Sequence, residues 1–161
     1  MATLRVGIGY DIHRLEVGRQ LVLGGVRIPW TAGLAGHSDA DVVIHALMDA
    51  MLGAACLGDI GTHFPNTDER YRDASSLHLL AAVRDLLTRQ GLILSNADVM
   101  VVAEKPELAP HIESMRQRIA ATLDVDGVCI SIKATTNEGV GPEGRCEAIS
   151  ARAVVLLESL S

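Results

Sequence analysis

Aromatic residues are scarce in this chain: Phe, Trp and Tyr together make up 2% of its 161 residues. Tyr10, Trp30, Phe64 and Tyr71 are all there is, so a core must be built from Val, Ile, Leu and Ala. Cysteine is equally thin. Cys56, Cys129 and Cys146 are widely spaced and odd in number, which argues against a disulfide framework or a thiolate zinc site and for a reducing cytoplasm. No apolar run is long enough to span a bilayer, since the stretch from Val42 to Leu57 is broken by His45 and Asp49; no membrane partner is expected. The segment from Met1 to Asp11 lacks the layout of a signal peptide. A formal charge of −6 without any basic block speaks against nucleic acid as a partner. A small anionic substrate stays open, because a bound metal or a helix N-terminus reverses the field locally.

Hydrophobic residues reach 48% and charged ones 21%, the balance of a folded chain with a real core. The absence of repeats, linkers or low-complexity tracts predicts one domain over residues 1–161. A mean hydropathy of +0.26 fits apolar surface covered between subunits.

Along the chain, Leu4 to His13 is predicted as a strand that ends in polar residues. Gln20–Leu23 and Val26–Ile28 flank Gly24-Gly25, a hairpin signal. Asp41 to Leu57, apolar on most sides, predicts a buried helix that Gly58 ends. Gly61 to Arg72 reads as a loop, and Ala74 to Gln90 as a helix stopped by Gly91. Ala97–Ala103 and Val128–Ala134 read as strands, with a helix over Pro110–Leu123 between them. After a glycine-rich loop (Gly139, Gly141, Gly144), Cys146 to Leu157 reads as a last strand. The expected class is α+β: a mixed β-sheet with helices packed on one face.

Asp11 and His13 stand two residues apart, so strand alternation directs both side chains to one face. His45 lies in the buried helix between Asp41 and Asp49, at i−4 and i+4. Those carboxylates are placed to accept from its free ring N–H. Two imidazoles and a carboxylate suit Zn²⁺ with a fourth position open. Each histidine taken singly is equally well a hydrogen-bonded core or surface residue.

The ordered blocks say more. They are Gly7-Ile8-Gly9-Tyr10-Asp11-Ile12-His13, Leu23-Gly24-Gly25-Val26, His37-Ser38-Asp39-Ala40-Asp41 with His45, and Leu57-Gly58-Asp59-Ile60-Gly61. Phe64-Pro65-Asn66-Thr67-Asp68, Pro110-His111-Ile112 and Lys133-Ala134-Thr135-Thr136-Asn137-Glu138 follow. From about residue 5 to 157 this set resembles the 2-C-methyl-D-erythritol 2,4-cyclodiphosphate synthase family. The resemblance implies a phosphorus–oxygen lyase of the non-mevalonate isoprenoid pathway. Its substrate would be a cytidyl diphosphate, closed into a cyclic diphosphate with release of CMP. It further implies a homotrimer with active sites between subunits. Zn²⁺ would be held by Asp11, His13 and His45, and a second divalent cation, Mg²⁺ or Mn²⁺, by Glu138.

His37 and Thr136 match positions that stabilise the transition state, and His37 and Ser38 are expected to offer phosphate the N-terminus of the following helix. Read without the family, His37-Ser38-Asp39 is a helix cap and the threonines are ordinary strand residues. Asp59, Ile60 and Gly61 match the segment that grips the methylerythritol hydroxyls, and Phe64 and Asp68 fall in a further substrate-contacting segment. Without the family the first is a helix C-terminal turn. Ala103, Pro106, Leu108 and Ala109 fall where the family builds its cytidine pocket. Thr135, Asn137 and Arg145 complete the matched contacts.

Three positions depart from the family pattern. Glu107 replaces a usual lysine, Asn66 stands where an acid is common, and Pro142 takes the place of an aromatic. The last bears on an axial cavity that in the family can hold an isoprenoid diphosphate. Two other readings stay open: a trimeric isoprenoid-diphosphate binder, and a zinc hydrolase with Glu138 as base.

Overall fold

Two glycines set the layering of the molecule. The computed structural model describes residues 3–160. In strand β1 (Leu4–Val17), Gly7 and Gly9 face inward while Val6, Ile8 and Tyr10 face outward. Helix α1 (Val42–Ala54) lies directly on the glycines. A Cβ at Gly7 would stand 1.9 Å from the Ala50 carbonyl oxygen, and one at Gly9 the same distance from that of Ala46. Glycine is required here for close backbone approach rather than for a special φ. The helix is buried nearly all round, as its uniformly apolar sequence requires.

The sheet has five strands in the order β4-β1-β7-β5-β6, completed by β4 (Ala32–Leu34), β5 (Leu92–Val102), β6 (Ile130–Thr135) and β7 (Ala148–Ser159). β7 runs antiparallel to both β1 and β5, and β5 runs parallel to β6. The parallel pair is joined by α4 (Ile112–Leu123), as a parallel connection requires. A separate hairpin, β2 (Leu21–Leu23) and β3 (Val26–Ile28), turns on Gly24 and Gly25 with φ of 57° and 73°.

One face of the sheet is buried under α1, α3 (Ser76–Arg89) and α4, with Val99, Val101, Ala151, Ala153 and Val155 pointing into an aliphatic core. The other face is open and apolar along β1, where Leu4, Val6 and Ile8 are 60%, 71% and 73% exposed. The mixed sheet with helices on one face is the expected α+β arrangement. Among the described residues no helix is long and apolar enough to cross a membrane.

Several boundaries differ from the sequence reading. β1 does not end at His13; beyond Arg14 it changes partner from β7 to β4, a three-residue strand too short to be seen in sequence. Gly58 is not what stops α1. The helix ends at Ala54, Cys56 takes a φ of 59°, and Leu57 N–H donates to Leu52 O at 2.9 Å, which closes the last turn. The stretch Gly61–Arg72 is not wholly loop: α2 (Ile60–His63) and a 3₁₀ turn at Glu69–Tyr71 occupy parts of it. The glycine-rich loop holds one helical turn, α5 (Gly141–Gly144). β5 begins five residues earlier than Ala97, with a register shift between Leu94 and Asn96 that hides its alternation.

Candidate metal centre and substrate cleft

Asp11 and His13 continue the inward row of Gly7 and Gly9, and His45 precedes Ala46 on the helix seated over that row. The contact between strand and helix therefore carries His45 to Asp11. One carboxylate oxygen, Asp11 Oδ2, lies 2.9 Å from His13 Nε2 and 3.0 Å from His45 Nδ1. The imidazole centroids are 5.4 Å apart. His13 Nδ1 stands 2.5 Å from the Ala35 carbonyl oxygen, which can only accept, so Nδ1 carries a proton and Nε2 is the nitrogen turned to Asp11, a donor in the cationic ring and a lone pair for a cation in the neutral one. These donor atoms all lie within 4.8 Å of one another.

The electrostatics follow from this crowding. Burial works to raise the Asp11 carboxyl, yet hydrogen bonds and charge from His13 and His45 outweigh it and hold the group far below the usual range. At His13 burial works to lower the pKa, and Asp11 outweighs that to raise it. Two imidazoles aimed at one carboxylate oxygen share either a proton or a cation.

The carboxylates flanking His45 in sequence do not orient it. Asp41 is the N-cap, outside helical geometry. Its carboxylate accepts from the amides of Val43 and Ile44 and from Gly24 and Gly25 of the hairpin. Asp49 instead accepts from Ile60 N–H at 2.8 Å and ties α2 to α1. His45 Nε2 finds Ser76 Oγ at 3.1 Å and Ser38 Oγ at 3.3 Å. Ser76 comes from α3, 31 residues later, and no local spacing announces it. Nor does the N-terminus of α1 serve His37 and Ser38 as a phosphate donor, because Asp41 takes the amides of Val43 and Ile44.

A cleft of about 500 Å³ opens over these three side chains. His37, Ser38, Ile60, Gly61 and Phe64 share its wall with Asn66 and Tyr71. His37 Nε2 is shut off from solvent and has no hydrogen-bond partner among the described residues. Asp59 sits outside this wall as the N-cap of α2, accepting from Thr62 at 2.8 Å; it is not merely part of a C-terminal turn of α1. Asp68 caps the 3₁₀ turn and pairs with Arg70.

A second cavity of about 350 Å³ gathers Ala103, Pro106, Leu108, Ala109, Thr135 and Thr136, together with Lys105 and Glu107. Just past it, Thr136 Oγ1 donates to Glu138 Oε1 at 3.4 Å, and Glu138 is exposed with a φ of 51°. Asn137 lies between them. Arg145 is exposed and paired with Glu147 at 2.9 Å. The two cavities lie at the same end of the sheet. Asp11 pairs with Ala151, Ala151 with Val101 and Val101 with Ala134, so three strand spacings, about 14 Å, separate the metal ligands from the start of the second cavity.

Residues 4–158 match the YgbB family. The chain is 58% identical over 155 residues to the 2-C-methyl-D-erythritol 2,4-cyclodiphosphate synthase of Syntrophomonas wolfei, covering 96% of this chain and 99% of that one. Among solved structures, the bifunctional IspDF from Campylobacter jejuni superposes with a TM-score of 0.95 at 42% identity. It covers 99% of this chain, which spans 43% of that longer protein. The CDP complex of IspF from Plasmodium falciparum gives 0.87 at 33% identity, covering 98% of this chain and 97% of that one.

Proposed function

This chain belongs to the YgbB family, and from that membership we propose that it converts 4-diphosphocytidyl-2-C-methyl-D-erythritol 2-phosphate to 2-C-methyl-D-erythritol 2,4-cyclodiphosphate and CMP. The reaction belongs to the non-mevalonate route to isoprenoid precursors. It is a lyase reaction, expected in the cytoplasm and carried by one domain over residues 1–161.

The observation that carries this reading is the single oxygen of Asp11 faced by His13 Nε2 and His45 Nδ1 within 3.0 Å. Two neutral imidazoles and a carboxylate fit Zn²⁺. Asp11, His13 and His45 would hold it, and once bound it supplies Lewis-acid polarisation of a phosphoryl oxygen. Glu138, an exposed carboxylate past the end of β6, suits a harder ion, Mg²⁺ or Mn²⁺.

The nucleophile is already an ionised phosphate, so the protein needs no strong general base; orientation and charge neutralisation remain. An oxygen of the 2-phosphate bonds to the β-phosphorus. The bond from that phosphorus to the bridging oxygen breaks, and its electron pair leaves with CMP. His37, with an unpartnered Nε2 in the cleft wall, donates to phosphoryl oxygens as charge builds on them. Thr136 acts likewise from the far side, beside Thr135 and Asn137. Ser38, Ile60, Gly61 and Phe64 enclose the methylerythritol, with Asp59 and Asp68 at its margin. Ala103, Pro106, Leu108 and Ala109 receive the cytidine.

A homotrimer supports this division of labour. The open apolar face of β1 offers neighbouring subunits a surface to cover, and the between-subunit site that the family resemblance implies would bring a neighbour's second cavity to this subunit's metal ligands. The loop with Pro142 and Arg145 would border the trimer axis, where an isoprenoid diphosphate is the expected occupant.

The test is ³¹P NMR of the product made from the cytidyl substrate with Mg²⁺ and Zn²⁺, and again after chelation. A cyclic diphosphate with equimolar CMP, lost on chelation, is expected. No cyclic product from folded, metal-loaded protein would overturn the reading.

A further inference from the structure

We infer that Asp39 and Ser76 are positioning residues that receive the ring proton of His45 when a metal takes its Nδ1, and so set the metal affinity of the site. The inference rests on the proposed metal site but not on the reaction.

The argument is one of hydrogen-bond direction. Ser76 is fully buried at the start of α3, and its backbone N–H donates to Asp39 Oδ2 at 2.9 Å. Its hydroxyl donates to Asp39 Oδ1 in a short contact. A carboxylate offers only lone pairs and a serine hydroxyl only one proton, so that proton is directed to Asp39. The oxygen of Ser76 can then only accept from His45 Nε2, 3.1 Å away. Nδ1 faces a second acceptor, Asp11 Oδ2 at 3.0 Å, which draws the proton of the neutral ring in the metal-free site. A cation held on Asp11 would take the Nδ1 lone pair, and the ring proton then passes to Nε2, where Ser76 receives it. Ser38 Oγ, 3.3 Å from Nε2, accepts from Ala40 N–H and offers a second acceptor on the same side. Asp39, Ser76 and His45 form a chain of donors that runs one way, away from the metal. His13 reaches the same end more simply, through one carbonyl.

Reversing the chain should be possible with a single substitution. In Asp39→Asn the fixed backbone N–H of Ser76 retains the amide oxygen, so the amide NH₂ turns to Ser76 Oγ. The serine hydroxyl is then released to donate to His45 Nε2. That holds the imidazole proton on Nδ1, in the face where a metal would bind. Ser76→Ala is milder: it removes the acceptor without imposing the wrong tautomer.

Long-range ¹H–¹⁵N correlation spectra of ¹⁵N-histidine-labelled protein above pH 8, metal-free and zinc-loaded, read where the His45 proton sits, with His45 assigned by His45→Gln. Zinc affinity is measured by competition with a chromophoric chelator. The expected result is a proton that moves from Nδ1 to Nε2 when zinc binds the wild type, with that Nε2–H hydrogen-bonded and slow to exchange, and no such protected Nε2–H in zinc-loaded Asp39→Asn or Ser76→Ala. Zinc affinity should fall roughly 10- to 100-fold in both variants, with Asp39→Asn the weaker. A zinc-loaded wild type without a protected His45 Nε2–H overturns the inference without recourse to any variant, as does unchanged affinity in a folded Asp39→Asn protein. Failure of the wild type to bind zinc at all would instead count against the metal reading itself.

Discussion

Gly9 of β1 and Ala46 of α1 meet backbone to backbone: a Cβ on Gly9 would stand 1.9 Å from the Ala46 carbonyl oxygen. The neighbouring side chain on the helix is His45, and two residues along the strand is Asp11. The geometry of the metal centre is therefore set by the depth at which the helix sits on the strand. Gly9→Ala should lift α1, costing about 1–3 kcal/mol as overpacking does and weakening metal binding together with stability. Urea unfolding and zinc competition on the same variant check this. Full metal affinity in a destabilised protein would show that the centre tolerates the shift.

His45→Ala removes one nitrogen ligand, and His13→Ala the other. Either change should reduce CMP formation by roughly 100-fold or more, a few kcal/mol of transition-state stabilisation. The fold should survive, because both side chains open onto the cleft, His45 from the buried helix and His13 from the strand. Coupled-assay kinetics with far-UV circular dichroism decide it.

Metal binding should depend on pH through His13. Asp11 raises its pKa despite burial, so near neutrality part of the metal-free protein carries a proton where the ion must bind. Apparent zinc affinity should rise with pH across that range and fall as the medium is acidified, with proton release on binding. Calorimetry in buffers of different ionisation enthalpy measures both; pH-independent affinity from 6 to 8 would contradict the proton competition.

Ile8 is 73% exposed on the open face of the sheet, so a charge there is tolerable in an isolated subunit, costing within about 0.5 kcal/mol. In the proposed trimer the same charge would be buried. If that trimer forms on this face, Ile8→Glu should shift sedimentation from trimer to monomer and remove activity in proportion to the dissociated fraction. A variant that stays trimeric and active would place the interface elsewhere.

The sequence allowed some of this to be read directly. Strand alternation places Asp11 and His13 on one face whatever the rest of the fold does, and an all-round apolar helix is buried wherever it lies. The partners of His45 could not be read in the same way. Spacing of i±4 identifies neighbours along a helix, but Asp41 and Asp49 bond to the hairpin and to α2, directions fixed by how α1 is docked. Ser76 arrives from α3 through tertiary packing alone. The extension of β1 past His13 depends on Ala32–Leu34 as a new partner, a three-residue strand too short to be seen in sequence, although Arg14-Leu15-Glu16-Val17 does alternate polar and apolar. The family pattern named the residues of the second cavity, while the single-chain fold leaves them three strands away from the metal ligands.

The aliphatic core has an optical consequence. No aromatic ring lies in the interior: Trp30 is 43% exposed, Tyr10 is 49% exposed, and Phe64 meets Tyr71 edge-on at 5.4 Å in the wall of the cleft. The near-ultraviolet signal of this protein therefore comes from its surface and its binding cleft, with a dark interior behind them. A ligand entering beside Phe64 and Tyr71 would change that signal against a background set by Trp30 and Tyr10 alone, so the chain carries its own reporter of occupancy.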